Sequence, residues 1–203
     1  MQRRVLIACE TSSVCRRAFE KLGWEAWSCD LLETEVAGNH YQCDVREVLD
    51  KGWDLLIAHP TCTYLTNSGV CWLKKDPTRW TKLDEAAKFF KLLLDAPIKY
   101  KCIENPIPHK YALERIGRKY DQLIQPYMFG HLERKATCLW LDGLPKLIPT
   151  NNVKKEMDKL PKSQSQRLHW LPPSPTRWKE RSRTFSGIAN ALAEQYTEFF
   201  KTL

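Results

Sequence analysis

No apolar run in this 203-residue chain approaches the roughly 18 residues that a membrane-spanning helix needs. The longest, Phe89-Phe90 and Leu92-Leu93-Leu94, are split by Lys91 and ended by Asp95. No signal peptide is expected either. The basic start, Gln2-Arg3-Arg4, leads into an apolar stretch that stops at Glu10, too short for a signal peptide and better read as a first buried strand. Internal repeats and low-complexity tracts are absent, and none of the eight cysteines (Cys9, Cys15, Cys29, Cys43, Cys62, Cys71, Cys102, Cys138) stands in a Cys-x-x-Cys pair. Structural zinc sites draw their ligands from such close pairs, so no metal is expected. These absences argue against membrane, secreted, fibrous and disordered readings. They leave an intracellular, cytoplasmic protein whose thiols stay reduced and mostly act as small buried hydrophobes.

What is present fits one globular domain. Hydrophobic residues make up 43% and charged residues 28%, and a chain of 203 residues is long enough for a core without staples. The net charge of +8 is uneven: residues 1–100 are balanced, and the whole excess lies beyond them. Lys146 to Arg183 carries ten Lys and Arg against Glu156, Asp158 and Glu180, has no glycine, and holds Trp170 and Trp178. Cations for phosphates and rings for bases suit a nucleic-acid groove, and a solvated basic loop is the plainer alternative.

Along the chain, short apolar runs alternate with amphipathic stretches. Val5 to Ala8, Trp24 to Cys29, Leu55 to Ala58, Tyr100 to Ile103 and Ala136 to Leu141 read as strands, with a weaker one before Asp44. Ser12 or Ser13 is positioned to cap a helix that Gly23 ends. Leu83 to Leu94 and Gly187 to Phe200 have helical spacing. Alternating strands and helices predict an α/β fold around a mostly parallel sheet.

In such sheets ligands bind beyond the carboxyl ends of the strands, where this sequence concentrates its polar residues. Glu10 to Ser13 follows the first strand and Asp30 the second, a position that suits hydrogen bonds from ribose hydroxyls. Asp44 ends the third and could receive an adenine amino group. Pro60-Thr61-Cys62 follows the fourth, where a partly open loop suits a nucleophilic thiol with its thiolate favoured. Glu104-Asn105-Pro106 follows the fifth. Burial there would raise the Glu104 pKa, fitting the residue to hold or protonate a substrate nitrogen.

In this order the pieces resemble the DNA cytosine-5 methyltransferases, most nearly the small methylase-like proteins of bacteriophages and prophages. The matches are Ala8 to Ser13, Asp30, Asp44, Pro60-Thr61-Cys62, Glu104-Asn105-Pro106, Arg134 in Glu133-Arg134-Lys135, and Phe185-Ser186-Gly187 before the last helix. The resemblance implies a three-layer, Rossmann-like methyltransferase fold and S-adenosylmethionine held by Ala8, Cys9, Glu10, Thr11, Ser12, Ser13, Asp30, Leu31, Asp44, Val45, Pro60 and Ser186. It implies that Cys62 adds to cytosine C6, Glu104 serves the N3 edge and Arg134 contacts the base oxygen. Residues 1–144 and 184–203 would form the methyltransferase domain, and 145–183 a reduced target-recognition region through which DNA is bound. For a phage-encoded member the setting would be the cytoplasm of a bacterial host.

Departures from the family pattern keep alternatives open. The first loop reads Cys9-Glu10-Thr11-Ser12-Ser13 where the family has a glycine-rich pattern, and Thr61 and Thr63 stand where Pro and Gln are usual. A methylase acting on cytosine nucleotides or RNA, and a non-catalytic binder of DNA or cofactor, are the competing expectations.

Overall fold

The computed structural model describes residues 2–203. The elements run β1 (Arg4–Ala8), α1 (Val14–Glu20), β2 (Glu25–Asp30), β3 (His40–Gln42), β4 (Leu55–Ala58), α2 (Asn67–Val70), α3 (Thr78–Leu94), β5 (Tyr100–Pro106), α4 (Lys110–Ile116), β6 (Gln122–Ile124) and β7 (Thr137–Asp142). Four short helices follow, α5 (Lys154–Met157), α6 (Lys162–Ser165), α7 (Arg167–Trp170) and α8 (Arg177–Ser182), before the closing α9 (Ser186–Lys201).

The seven strands form one sheet in the order β3-β2-β1-β4-β5-β7-β6. β1 to β5 pair in parallel, while β7 runs antiparallel between β5 and β6. This is the α/β, mostly parallel, Rossmann-like arrangement expected from the sequence. The strand order reverses between β1 and β4, which opens a crevice at their carboxyl ends.

Strand alternation divides the core into two layers. Leu6, Ala8, Leu56, Ala58 and Ile103 pack with Leu83, Ala87 and Phe90 of α3. Val5, Ile7, Leu55, Ile57 and Cys102 face Phe19 of α1 and Ile188, Leu192 and Tyr196 of α9. Both faces of the central strands are therefore covered, which explains why they read as unbroken apolar runs rather than alternating ones. Register carries this outward. Ile57 pairs with Cys102, so the next residues on that face, His59 just past β4 and Glu104, meet. β5 runs on to Pro106 rather than ending at Ile103, because Glu104, Asn105 and Pro106 still pair with β7.

Three expectations need correcting. Neither Ser12 nor Ser13 provides the side-chain cap at the N-cap position of α1. Ser13 has φ 59°, and its hydroxyl pairs with Thr34 and Arg16 instead. The Glu10 carboxylate takes over, accepting the Cys15 and Arg16 N–H groups at 2.8 and 3.2 Å. Helix α3 starts at Thr78 rather than Leu83, because its first turn carries no buried residue and so lacks a periodic signal. β6 and α4 were not expected. β6 has a single buried residue, Ile124, and α4 only two, Ala112 and Ile116, too few for a pattern.

Candidate active site

A cavity of about 330 Å³ lies in the crevice beyond β1 to β4, in the size range of small-molecule sites. Eight residues singled out in the sequence line it: Cys9, Glu10, Thr11, Ser12, Asp30, Leu31, Asp44 and Val45. Cys29, Cys43 and Phe89 add apolar wall, and His59 and Thr61 border it from the β4 side. The other four expected cofactor contacts do not line it. Ala8, Ser13 and Pro60 are buried, and Ser186 is exposed as the first residue of α9.

The first loop solves without glycine a turn that usually needs it. Cys9 and Ser13 both sit in the left-handed region, at φ 60° and 59°. Each such non-glycine residue costs on the order of 1–3 kcal/mol, so the surroundings must hold the turn in place. They do so with hydrogen bonds. The Cys9 N–H donates to the Cys29 carbonyl at 2.7 Å, and the Glu35 N–H donates to the Thr11 carbonyl at 2.8 Å. Arg16, fully buried, donates to Ser13 Oγ and to the carbonyls of Val36 and Ala37, which ties the loop after β2 to α1. Gly38 is required beside it, since a Cβ there would lie 1.8 Å from the guanidinium.

The two aspartates converge on one wall. Asp30 Oδ1 accepts the Leu32 N–H at 3.0 Å, and Asp44 caps the short turn Val45–Glu47 while pairing with Arg46. Burial, reinforced by the negative charges of Asp30 and Asp44, pushes the Cys9 thiol up to about 12. It is therefore a neutral, polarizable wall and not a nucleophile.

At the ends of β4 and β5, two contacts join consecutive residues across the strands. His59 Nδ1 lies 2.8 Å from Glu104 Oε2, with the side chains 10% and 13% exposed. An ionised carboxylate can only accept, so Nδ1 carries the proton. Asn105 Nδ2 donates to the Pro60 carbonyl at 2.8 Å. Farther out, the His109 N–H donates to the Leu65 carbonyl at 2.9 Å and its Nε2 to the Tyr64 carbonyl at 3.1 Å. The Cys62 loop is thus stapled to the segment after β5, and Cys62 itself is half-buried in a turn whose carbonyl accepts the Leu65 N–H.

Electrostatics correct two sequence expectations. Burial would raise the Glu104 pKa, as expected, but the hydrogen bond and charge of His59, with Lys135 behind them, hold it below the usual carboxylate value. Glu104 is an anion here and cannot be the resident proton donor. For Cys62, burial pushes the thiol up and Glu104 adds to this, while Lys135 and Arg181 oppose. The net direction is upward, so the resting residue is a thiol rather than the thiolate expected from an open loop.

Arg134 also stands differently. It pairs with Asp158, and its N–H donates to the Ser165 carbonyl at 2.7 Å, so it anchors the basic segment. Its neighbour Lys135 acts on His59, Cys62 and Glu104, and its Nζ donates to the Arg181 carbonyl at 2.8 Å. Part of the basic segment belongs to the cavity as well. Trp178, Lys179 and Ser182 of α8 line it, and Arg183 closes onto Glu35 in an ion pair.

His59 was missed in the sequence, where it marked only the end of a strand. The signal available was topological: parallel pairing of adjacent strands that runs to Ala58 and Ile103 brings the next residue of each together.

The residues present fit S-adenosylmethionine. Carboxylates at the ends of β2 and β3 suit its hydroxyl and amino donors, and Val45, Phe89 and neutral thiols suit a flat base. No protein-family model and no curated protein matches the chain. Among solved structures, a crystal structure of a mutant of Spodoptera frugiperda DNMT2 is similar at 15% identity and a TM-score of 0.39. The match covers 75% of this chain and 54% of that one, so the chain spans about half the length of the protein it resembles.

Proposed function

We propose that this chain is an S-adenosylmethionine-dependent methyltransferase that modifies C5 of cytosine in DNA, a small phage-type member of the family its motifs resemble. The observation that carries this reading is convergence. Residues from four strand ends line one cavity, and His59 joins that cavity to the Cys62 loop and Glu104. Asp30 and Asp44 would accept hydrogen bonds from the ribose and the base amine, and the Cys9 to Ser12 loop would hold the amino-acid end. Bound there, S-adenosylmethionine supplies an electrophilic methyl group.

The protein's own groups supply the rest. Cytosine C5 becomes nucleophilic when the Cys62 sulfur adds to C6. In that addition the thiol proton passes to water, a step Lys135 and Arg181 favour by stabilising the thiolate. Glu104, held as a carboxylate, accepts from the exocyclic amine at the N3 edge of the ring. Lys135, whose charge acts on His59, Cys62 and Glu104, replaces Arg134 as the candidate contact to the base. Residues 145–183 would then serve two ends, the segment up to Arg177 meeting the DNA backbone and α8 closing the cavity.

A second reading, methylation of a cytosine nucleotide or of RNA, draws on that same division, because α8 is spent on the cavity wall. Covalent trapping tests the proposal. DNA carrying 5-fluorocytosine should form an adduct with the protein at Cys62 in the presence of S-adenosylmethionine, and Cys62→Ser should form none. A Cys62→Ser protein that methylates at the normal rate would refute the cytosine-5 mechanism.

A further inference from the structure

We infer that His59 is the base that removes the C5 proton of the substituted cytosine, an assignment that rests on the cytosine-5 reading above. The imidazole is held by Glu104 through Nδ1. Nε2 is buried and has no hydrogen-bond partner among the described residues. A buried nitrogen left without a partner is costly, and a histidine with a merely structural role normally finds one. This one borders the cavity assigned to the methyl donor, which Cys62 and Glu104 do not.

That placement decides which proton His59 handles. The carbon that receives the methyl must face the donor, so a group bordering the donor's cavity reaches the C5 edge of the ring. The exocyclic amine is on C4, the ring atom next to C5, with N3 beyond it, so that side falls to Glu104, the neighbour His59 is hydrogen-bonded to. In the step, the C5–H bond breaks and the proton passes to Nε2. The bond's electron pair forms the C5–C6 double bond, the C6–Sγ bond breaks, and Cys62 leaves with its electrons as thiolate. The imidazolium then releases its proton to water.

The charges facing His59 suit this role. Glu104 on β5 and Glu10 after β1 favour the imidazolium, and Lys135 ahead of β7 opposes it. Burial alone would push the His59 pKa down, but the hydrogen bond and charge of Glu104 dominate and move it above the ordinary value. A carboxylate behind Nδ1 both fixes the tautomer and stabilises the cation that proton uptake creates.

The test uses single-stranded DNA with tritium at cytosine C5 and no methyl donor: after Cys62 adds, C5 takes up a proton from water in place of the methyl, and tritium is released when the C5–T bond then breaks. Wild type should release tritium to water, and Cys62→Ser should not. His59→Gln keeps a donor for Glu104 but loses the base, and release should fall by about 10²- to 10⁴-fold. Added imidazole should restore part of it. The same variant should still be trapped at Cys62 by 5-fluorocytosine with S-adenosylmethionine, because trapping needs addition and methyl transfer but no proton removal from C5. His59→Asn serves in its place if His59→Gln does not fold. Tritium release at the wild-type rate by a folded His59 variant overturns the inference, and so does loss of trapping, which would place His59 before methyl transfer. A wild type that neither traps nor exchanges overturns the cytosine-5 reading, and this inference with it.

Discussion

His59 Nδ1 and Glu104 Oε2 stand 2.8 Å apart at the carboxyl ends of neighbouring parallel strands, both side chains almost out of solvent. Their pKa shifts have opposite signs, with His59 moved up from 6.5 and Glu104 down from 4.5. Glu104 contributes stability above its unfolded value and loses it as pH falls through its folded one. His59 contributes below its unfolded value and loses it as pH rises through its folded one. The pair is therefore strongest between about pH 4.5 and 6.5.

Glu104→Gln should consequently destabilise most in that window. Removing one member of a buried pair costs about 3–5 kcal/mol, or roughly 6–20 °C in Tm for a chain of this size. Melting curves at pH 6 and pH 9 check this. The gap between wild type and variant should narrow at the higher pH, and an equal gap at both would remove the ion pair from the account.

Cys62 should behave as a thiol that Lys135 makes usable. Lys135→Met removes a charge that opposes the burial of Cys62, so the thiolate fraction at pH 8 should drop, by up to about tenfold for a shift of one pKa unit. Iodoacetamide labelling followed by peptide mapping measures it. Exposed Cys71 serves as the internal control and should label equally in both proteins. Unchanged labelling of Cys62 would detach Lys135 from the site.

Much of this was legible because the central strands are buried on both faces. Val5 to Ala8 and Leu55 to Ala58 could hardly be anything else, and their spacing alone puts Asp30, Asp44, Cys62 and Glu104 at one sheet edge. What escaped depended on partners distant in sequence. The cap of α1 comes from Glu10 because Ser13 turns toward Thr34 and Arg16. Arg134 and Lys135 are adjacent and chemically alike, and only the fold of residues 154–165 shows that Asp158 and Ser165 claim the first and leave the second to the site. The helices of the basic segment are four to six residues long, too short to leave a periodic trace.

The cofactor cavity gives a separate prediction. Asp30→Ala removes a carboxylate that would receive charged hydrogen bonds worth about 1.5–3 kcal/mol each. Affinity for S-adenosylmethionine should fall roughly 10- to 150-fold with little change in Tm. Titration calorimetry measures it, and an unchanged Kd would take Asp30 out of the site.

DNA binding should depend on the cations that have no acidic partner. Lys154 is paired with Asp158, Arg167 with Glu133 and Glu180, and Arg183 with Glu35. Lys155, Lys159 and Lys162 are exposed and have no salt bridge among the described residues. Reversing these three to Glu should flatten the salt dependence of DNA affinity and leave cofactor affinity intact, since each neutralised phosphate contributes about 0.9 to the slope. A slope that does not change would leave the nucleotide reading in front.

The central claim, methyl transfer to cytosine C5, is tested most directly by product identity. The purified protein is incubated with methyl-labelled S-adenosylmethionine and, separately, duplex DNA, single-stranded DNA, RNA or dCMP, and each product is digested to nucleosides. The account predicts label in 5-methyldeoxycytidine from DNA, and none with Cys62→Ser. Label on an exocyclic nitrogen, or label from DNA that survives Cys62→Ser, would contradict it.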